Sequence, residues 1–186
     1  MSESLQNIIH QRINDGQRRN NIDLKNQNFS NETISSGTLA ASNFRSVSFI
    51  NINFENISFI DSIFDNCFFQ NCNFNDITAT YSHYNTCIFD NCYLKNVNLK
   101  EAVFEKCQFN KSSIHKGENG KLINSSFESC HFNEIMFTNF DIMSMMACLI
   151  IDCRFSKHNK IIEFKGDFGL DDLLLPKNGI LDAFEF

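Results

Sequence analysis

Large apolar residues recur every five positions along most of this 186-residue chain. Leu24, Phe29, Ile34, Leu39, Phe44, Phe49, Phe54, Phe59, Phe64, Phe69 and Phe74 stand in one register. Ala79, Tyr84, Phe89, Leu94, Leu99, Phe104, Phe109 and Ile114 continue it. Of these nineteen positions eleven are Phe and only Ala79 breaks the apolar rule, so an internal repeat is the first thing to read. Neither regular element has this period, since a helix returns its buried face about every 3.6 residues and a strand about every two. The phase slips by three across residues 115–121 and resumes at Leu122, Phe127, Phe132, Phe137 and Ile142. A second slip of three leads to Ile150 and Phe155.

The neighbouring positions complete the unit. Two residues before each centre the side chain is small or medium, as in Ser42, Val47, Ile52, Ser62 and Ala102. All eight cysteines (Cys67, Cys72, Cys87, Cys92, Cys107, Cys130, Cys148 and Cys153) take this slot once the slips are allowed. Two residues after the centre, Asn or Asp fills ten of the first eighteen slots, from Asn26 to Asn96. Those side chains tolerate corner conformations and bond the local backbone. Each unit thus offers one large inward residue, one small inward residue and a polar corner.

Units such as Cys72-Asn73-Phe74-Asn75-Asp76 and Cys107-Gln108-Phe109-Asn110-Lys111 resemble the repeat of the pentapeptide-repeat proteins. That repeat reads Ala, then Asp or Asn, then Leu or Phe, then two free positions. The resemblance covers residues 22–156 and implies an all-β solenoid, a right-handed quadrilateral β-helix with four units per coil and six to seven coils. Residues twenty apart are then expected to stack at ~4.8 Å, giving a rod on the order of 30 Å long.

A solenoid needs its ends covered. Ser4 followed by Leu5, Ile8, Ile9 and Ile13 at helical spacing predicts an N-terminal helical cap over residues 1–21, with Ser4 as N-cap. After Phe155 the five-residue pattern stops, and residues 157–186 are expected to cover the last coil or to pair with a second copy. Pro176 and Gly179 argue against a long helix there.

Composition then removes function classes. The net charge of −6 and a pI near 5.3 make duplex nucleic acid a poor direct partner. No apolar run is long enough to cross a membrane and the N-terminus lacks a secretory pattern, so a cytoplasmic location is expected. Neighbouring cysteines such as Cys67 and Cys72 lie on different walls of a square coil, while Cys67, Cys87 and Cys107 are expected to stack in one column; buried apolar filler is the expected role, with no metal or cofactor. In a reducing compartment they are expected to remain thiols. A serine in place of Cys87 is expected to bury a hydroxyl with no assured partner. Histidines 10, 83, 115, 131 and 158 form no cluster, and no nucleophile–base pair can be named, so no catalytic residue is assigned.

Function is therefore expected on the outside. The slot before each centre faces out and is usually polar, yet Ile63, Phe68, Ile88, Tyr93 and Val103 occupy it, with His83 among them. The twenty-residue register puts Ile63, His83 and Val103 in one column and Phe68 and Ile88 in the next. Such an apolar surface, on the order of several hundred Å², marks an interface with a partner or a homodimer. Asp61 and Asp65 are expected to flank a corner, with Glu101 and Glu105 repeating the pair two coils on and Tyr81 between. The segment His115, Lys116, Gly117, Glu118, Asn119, Gly120 and Lys121 reads as a surface loop inserted between coils, and a further candidate contact.

The resemblance implies a non-enzymatic protein-binding role. Some family members act as DNA mimics that bind type II DNA topoisomerases (gyrase or topoisomerase IV) and confer protection from a drug or peptide toxin. The alternative is an immunity or adaptor protein that holds a toxin or another partner by the apolar wall.

Overall fold

The computed structural model describes residues 4–14, 21–140, 143–145, 147–155, 159–162 and 184–185. Ile142, His158, Pro176 and Gly179 lie outside the described residues.

The five-residue unit folds as a three-residue strand followed by a corner. Four units close one square coil, and successive coils pair in parallel with every centre above another: Phe44 pairs with Phe64, Phe64 with Tyr84 and Tyr84 with Phe104. The solenoid thus has about six turns, as expected. Among the described residues, three walls are continuous sheets of seven, seven and eight strands. The first wall runs from strand Asp23–Lys25 to strand Leu149–Ile151, and the second from Asn28–Ser30 to Arg154–Phe155. The third runs from Thr33–Thr38 to Phe184–Glu185. The fourth is held by single bridges linking Ser58, Thr78, Asn98 and Lys121.

The corner explains the polar slot. At most corners from Asn21 to Asp152 the residue two after the centre holds φ between 47° and 70°; in the enlarged corner Gly117 does so instead of Lys116. In that left-handed region an ordinary residue costs about 1–2 kcal/mol, and Asn and Asp cost least. Stacked corners also bond to one another. Asn51, Asn71 and Asn91 each donate a side-chain amide hydrogen to the Asn one coil before, at 2.9, 3.1 and 2.7 Å.

Inside, the aromatic centres stack face to face. On the first wall Phe44, Phe64, Tyr84, Phe104 and Phe127 have successive centroids 4.5 to 4.8 Å apart and nearly parallel rings. Rings on adjacent walls meet edge-on, as Phe44 meets Phe49. Ala79 and Tyr84 are a local exception with its own solution. Ser82 Oγ donates to the Ala79 carbonyl at 2.6 Å, and the Tyr84 ring stacks between Phe64 and Phe104. Burial pushes the Tyr84 pKa up.

The cysteines do more than fill space. Each lies in a column of the small inward slot, where thiols and hydroxyls exchange. Cys67, Cys87 and Cys107 donate to the carbonyls of Phe44, Phe64 and Tyr84, at 3.3 to 3.4 Å. Ser62 and Ser112 do the same toward Leu39 and Phe89. The slot also accepts: Ser42 N–H donates to Ser62 Oγ, Cys92 N–H to Ser112 Oγ and Cys130 N–H to Cys153 Sγ. The eight thiols are unbridged. Burial pushes the Cys148 thiol up to about 11. The expectation that a serine at Cys87 would lack a partner is therefore corrected, because the Phe64 carbonyl stands ready to accept its proton.

The N-terminal cap is helix Leu5–Asn14, with Leu5 and Ile9 buried on the first coil. Ser4 caps it as expected, its Oγ accepting from Asn7 N–H at 3.2 Å. The Ile13 side chain lies outside the described residues. At the other end, strand pairing continues past Phe155: Asn159–Ile162 pairs with Met136–Thr138, and Phe184–Glu185 follows on the same sheet.

Two stability changes follow from this anatomy. Thr86, a β-branched residue at φ 55°, sits at the corner one coil beyond Asn66. Thr86→Asn should raise stability by about 1 kcal/mol in urea unfolding by relieving that backbone cost. Cys87→Ser should remain within about 1 kcal/mol of wild type in the same assay, because its hydrogen bonds survive.

Candidate functional site

The outward positions of the first wall form a grid. Ile63, His83 and Val103 pair directly as the middle column, and Asp65, Asn85 and Glu105 form the column beside it. On the other side run Asp61, Tyr81 and Glu101, which are themselves corner residues with φ 58° to 59°. The acids therefore flank the first wall rather than a corner, because Asp61 turns the chain and Asp65 ends the next strand. Successive rows should lie ~4.8 Å apart.

The middle of this grid is open to solvent. Ile63 is 47% exposed and Tyr81 51%, and His83 is exposed as well. Val103 is half-buried. Asn85 donates a side-chain amide hydrogen to Asp65 Oδ1 at 2.8 Å, which orients that carboxylate.

The two glutamates differ electrostatically from the two aspartates. Glu101 pairs with Lys100 at 3.2 Å and Glu105 with Lys106 at 2.6 Å. The hydrogen bond from Lys106 holds the Glu105 carboxyl below its ordinary range. Asp61 and Asp65 make no such ion pair, although Arg45 stands in register with Asp65 one coil before.

The remaining apolar candidates are spread over other walls. Phe68 and Ile88 pair on the second wall, around the Asn66 and Thr86 corner from the grid, and both are half-buried. Tyr93 stands apart on the third wall, between Asn73 and Ser113. It does not join the first-wall surface. Sequence reasoning missed Ile60, Leu149, Ile151 and Met136, all exposed. Ile60 and Ile151 occupy the slot after the centre, which also faces out. Attention to that slot would have found them. Leu149 and Met136 hold the slot before their centres, in the registers that follow the slips.

Residues 115–121 form an enlarged corner and not an extended arm. His115 Nδ1 lies 2.7 Å from Thr138 Oγ1, and Lys121 N–H donates to the Val97 carbonyl at 3.1 Å. Gly120 N–H donates to the Lys116 carbonyl at 2.9 Å. A Cβ at Gly120 would stand 2.0 Å from that carbonyl oxygen, so the turn requires glycine. The extra residues leave the coil in register, with Asn98 bridging Lys121.

The family model for pentapeptide repeats matches residues 39–76 and 87–117, with eight copies. HetL, a pentapeptide repeat protein involved in heterocyst differentiation regulation from the cyanobacterium Nostoc, is 8% identical. The match covers 88% of this chain and 80% of HetL, with a TM-score of 0.43. Full-length QnrB1, a plasmid-mediated fluoroquinolone resistance protein, is 11% identical over 84% of this chain and 90% of its own, with a TM-score of 0.45. No curated protein matches the sequence.

Gly120→Ala should lower stability by about 1–3 kcal/mol in thermal or urea unfolding, whereas Glu118→Ala in the same turn should stay within about 0.5 kcal/mol.

Proposed function

Because the chain belongs to the pentapeptide-repeat proteins, we propose that it is a non-enzymatic DNA mimic that binds a type II DNA topoisomerase. Its role is to shield gyrase or topoisomerase IV from a drug or peptide toxin. The observation behind this reading is the first-wall grid, whose carboxylate columns flank a strand face and repeat along the rod axis. A protein surface built to receive duplex DNA is basic, since phosphate neutralisation dominates such binding. Carboxylates arrayed on a rod meet that surface with complementary charge and steer the encounter.

A second reading has its own support. The exposed Ile63 provides apolar contact at the centre of the same wall with Tyr81 at its flank, and Lys100 and Lys106 reduce the acidity of its lower row. An immunity or adaptor protein would use such an apolar centre with a polar rim to hold a toxin or another partner. Both readings place binding on the first wall and differ in which interaction dominates.

Changing Asp61 and Asp65 to Asn, with Glu101 and Glu105 to Gln, separates them. For a DNA mimic, the variant should lose salt-dependent binding to topoisomerase and no longer compete with duplex DNA. For an immunity protein, affinity for the partner should largely persist while association slows. If the folded variant keeps both the affinity and the association rate for both partners, this wall is removed from consideration.

A further inference from the structure

We propose that the first wall receives a basic amphipathic α-helix, laid along the rod axis and presented by the partner protein. This inference rests on the protein-binding reading of that wall and specifies the element that binds there.

Coils repeat at ~4.8 Å along the rod, and an α-helix advances about 5.4 Å per turn. Over the two steps from Ile63 to Val103 the difference accumulates to only about 1 Å, so a helix parallel to the axis sets one side chain per turn opposite each coil. An extended strand in the same orientation would bring side chains on its facing side about 6.6 Å apart and lose this match within two coils.

The chemistry across the wall has the same directionality. An apolar stripe at helical positions i, i+3 or i+4, and i+7 would cover the middle column at Ile63, His83 and Val103. Its flanks would reach the outer columns, because a helix with its side chains is about 10–12 Å across. Those columns carry carboxylates on both sides of Ile63: Asp61 at the corner and Asp65 at the strand end. Neither has an ion-pair partner among the described residues, so both can receive lysine or arginine from a helix with basic flanks. The second and third walls offer no equivalent. Below Phe68 and Ile88 the second wall continues with Gln108, and Tyr93 lies between Asn73 and Ser113.

A stapled helical peptide of about 15 residues, with a leucine stripe flanked by arginines, is the direct probe, read by fluorescence anisotropy against the full chain. It should bind saturably, more weakly as salt rises. A stapled peptide of equal composition with the stripe scrambled should bind at least about tenfold more weakly. Ile63→Ser and the pair Asp61→Asn with Asp65→Asn should each weaken the helical peptide about tenfold or more, the scale of a central contact. Circular dichroism and thermal melts would establish that the variants are folded. Equal binding of the scrambled peptide, no binding of the helical one, or indifference of folded Ile63→Ser would overturn the inference. Capture of purified topoisomerase is measured alongside. If the peptide result fails but Ile63→Ser still lowers capture, the first wall remains a docking surface and only the helix is wrong. If folded wall variants alter neither measurement, the wall assignment fails as well.

Discussion

Every coil depends on holding non-glycine residues in the left-handed backbone region at its corners. The chain cannot turn through a square in five residues per side without that conformation, and the series from Asn21 to Asp152 adopts it. The cost is about 1–2 kcal/mol for an ordinary residue, repeated around each coil. It is offset by what the closed coil permits: in-register strand pairing, stacked rings and corner amides bonded to their neighbours. The abundance of Asn and the five-residue aromatic period are therefore two expressions of one constraint. Where Thr86, Tyr81 or Lys106 occupies a corner, the surrounding stack must carry the strain.

Stacking divides the chain into inward and outward slots with different freedom. An inward residue meets the same slot above and below, so a change there is felt across three coils. The thiol and hydroxyl columns show how narrow that choice is: Cys87 and Ser112 both satisfy a carbonyl of the preceding coil. Outward residues touch only their column neighbours and solvent, so their identity is set by what approaches them. A half-exposed Ile63 between two carboxylates contributes little to the solenoid. Its placement is more readily understood as a property of the surface.

Much of the fold was legible in advance because the period is a direct imprint of coil geometry. The centre positions, the twenty-residue columns and the Ser4 cap could all be read from spacing and residue type. The inserted residues shift the column spacing to twenty-three, as between Phe104 and Phe127, yet the pairing itself continues. Other features depend on side-chain directions that a periodic pattern does not contain. The hydrogen bonds of the cysteine slot, the pairing of Glu101 with Lys100 and the compact turn at Gly120 are of this kind. The candidate wall was only partly legible. Its middle column followed from the register, which also sets Tyr93 apart with Asn73 and Ser113, and Ile60 was legible from the outward slot after the centre; the half-burial of Val103, Phe68 and Ile88 was not.

The functional account depends on one wall of four being the surface a partner covers. Hydroxyl-radical footprinting of the chain, alone and bound to purified topoisomerase, tests that assignment directly, because Tyr81 and His83 on the first wall and Tyr93 and Met136 on the third are exposed and reactive. The account predicts that the partner protects Tyr81, His83 and Ile63 while oxidation of Tyr93 and Met136 continues unchanged. Protection of Tyr93 and Met136 with continued oxidation of Tyr81 and His83 would contradict it.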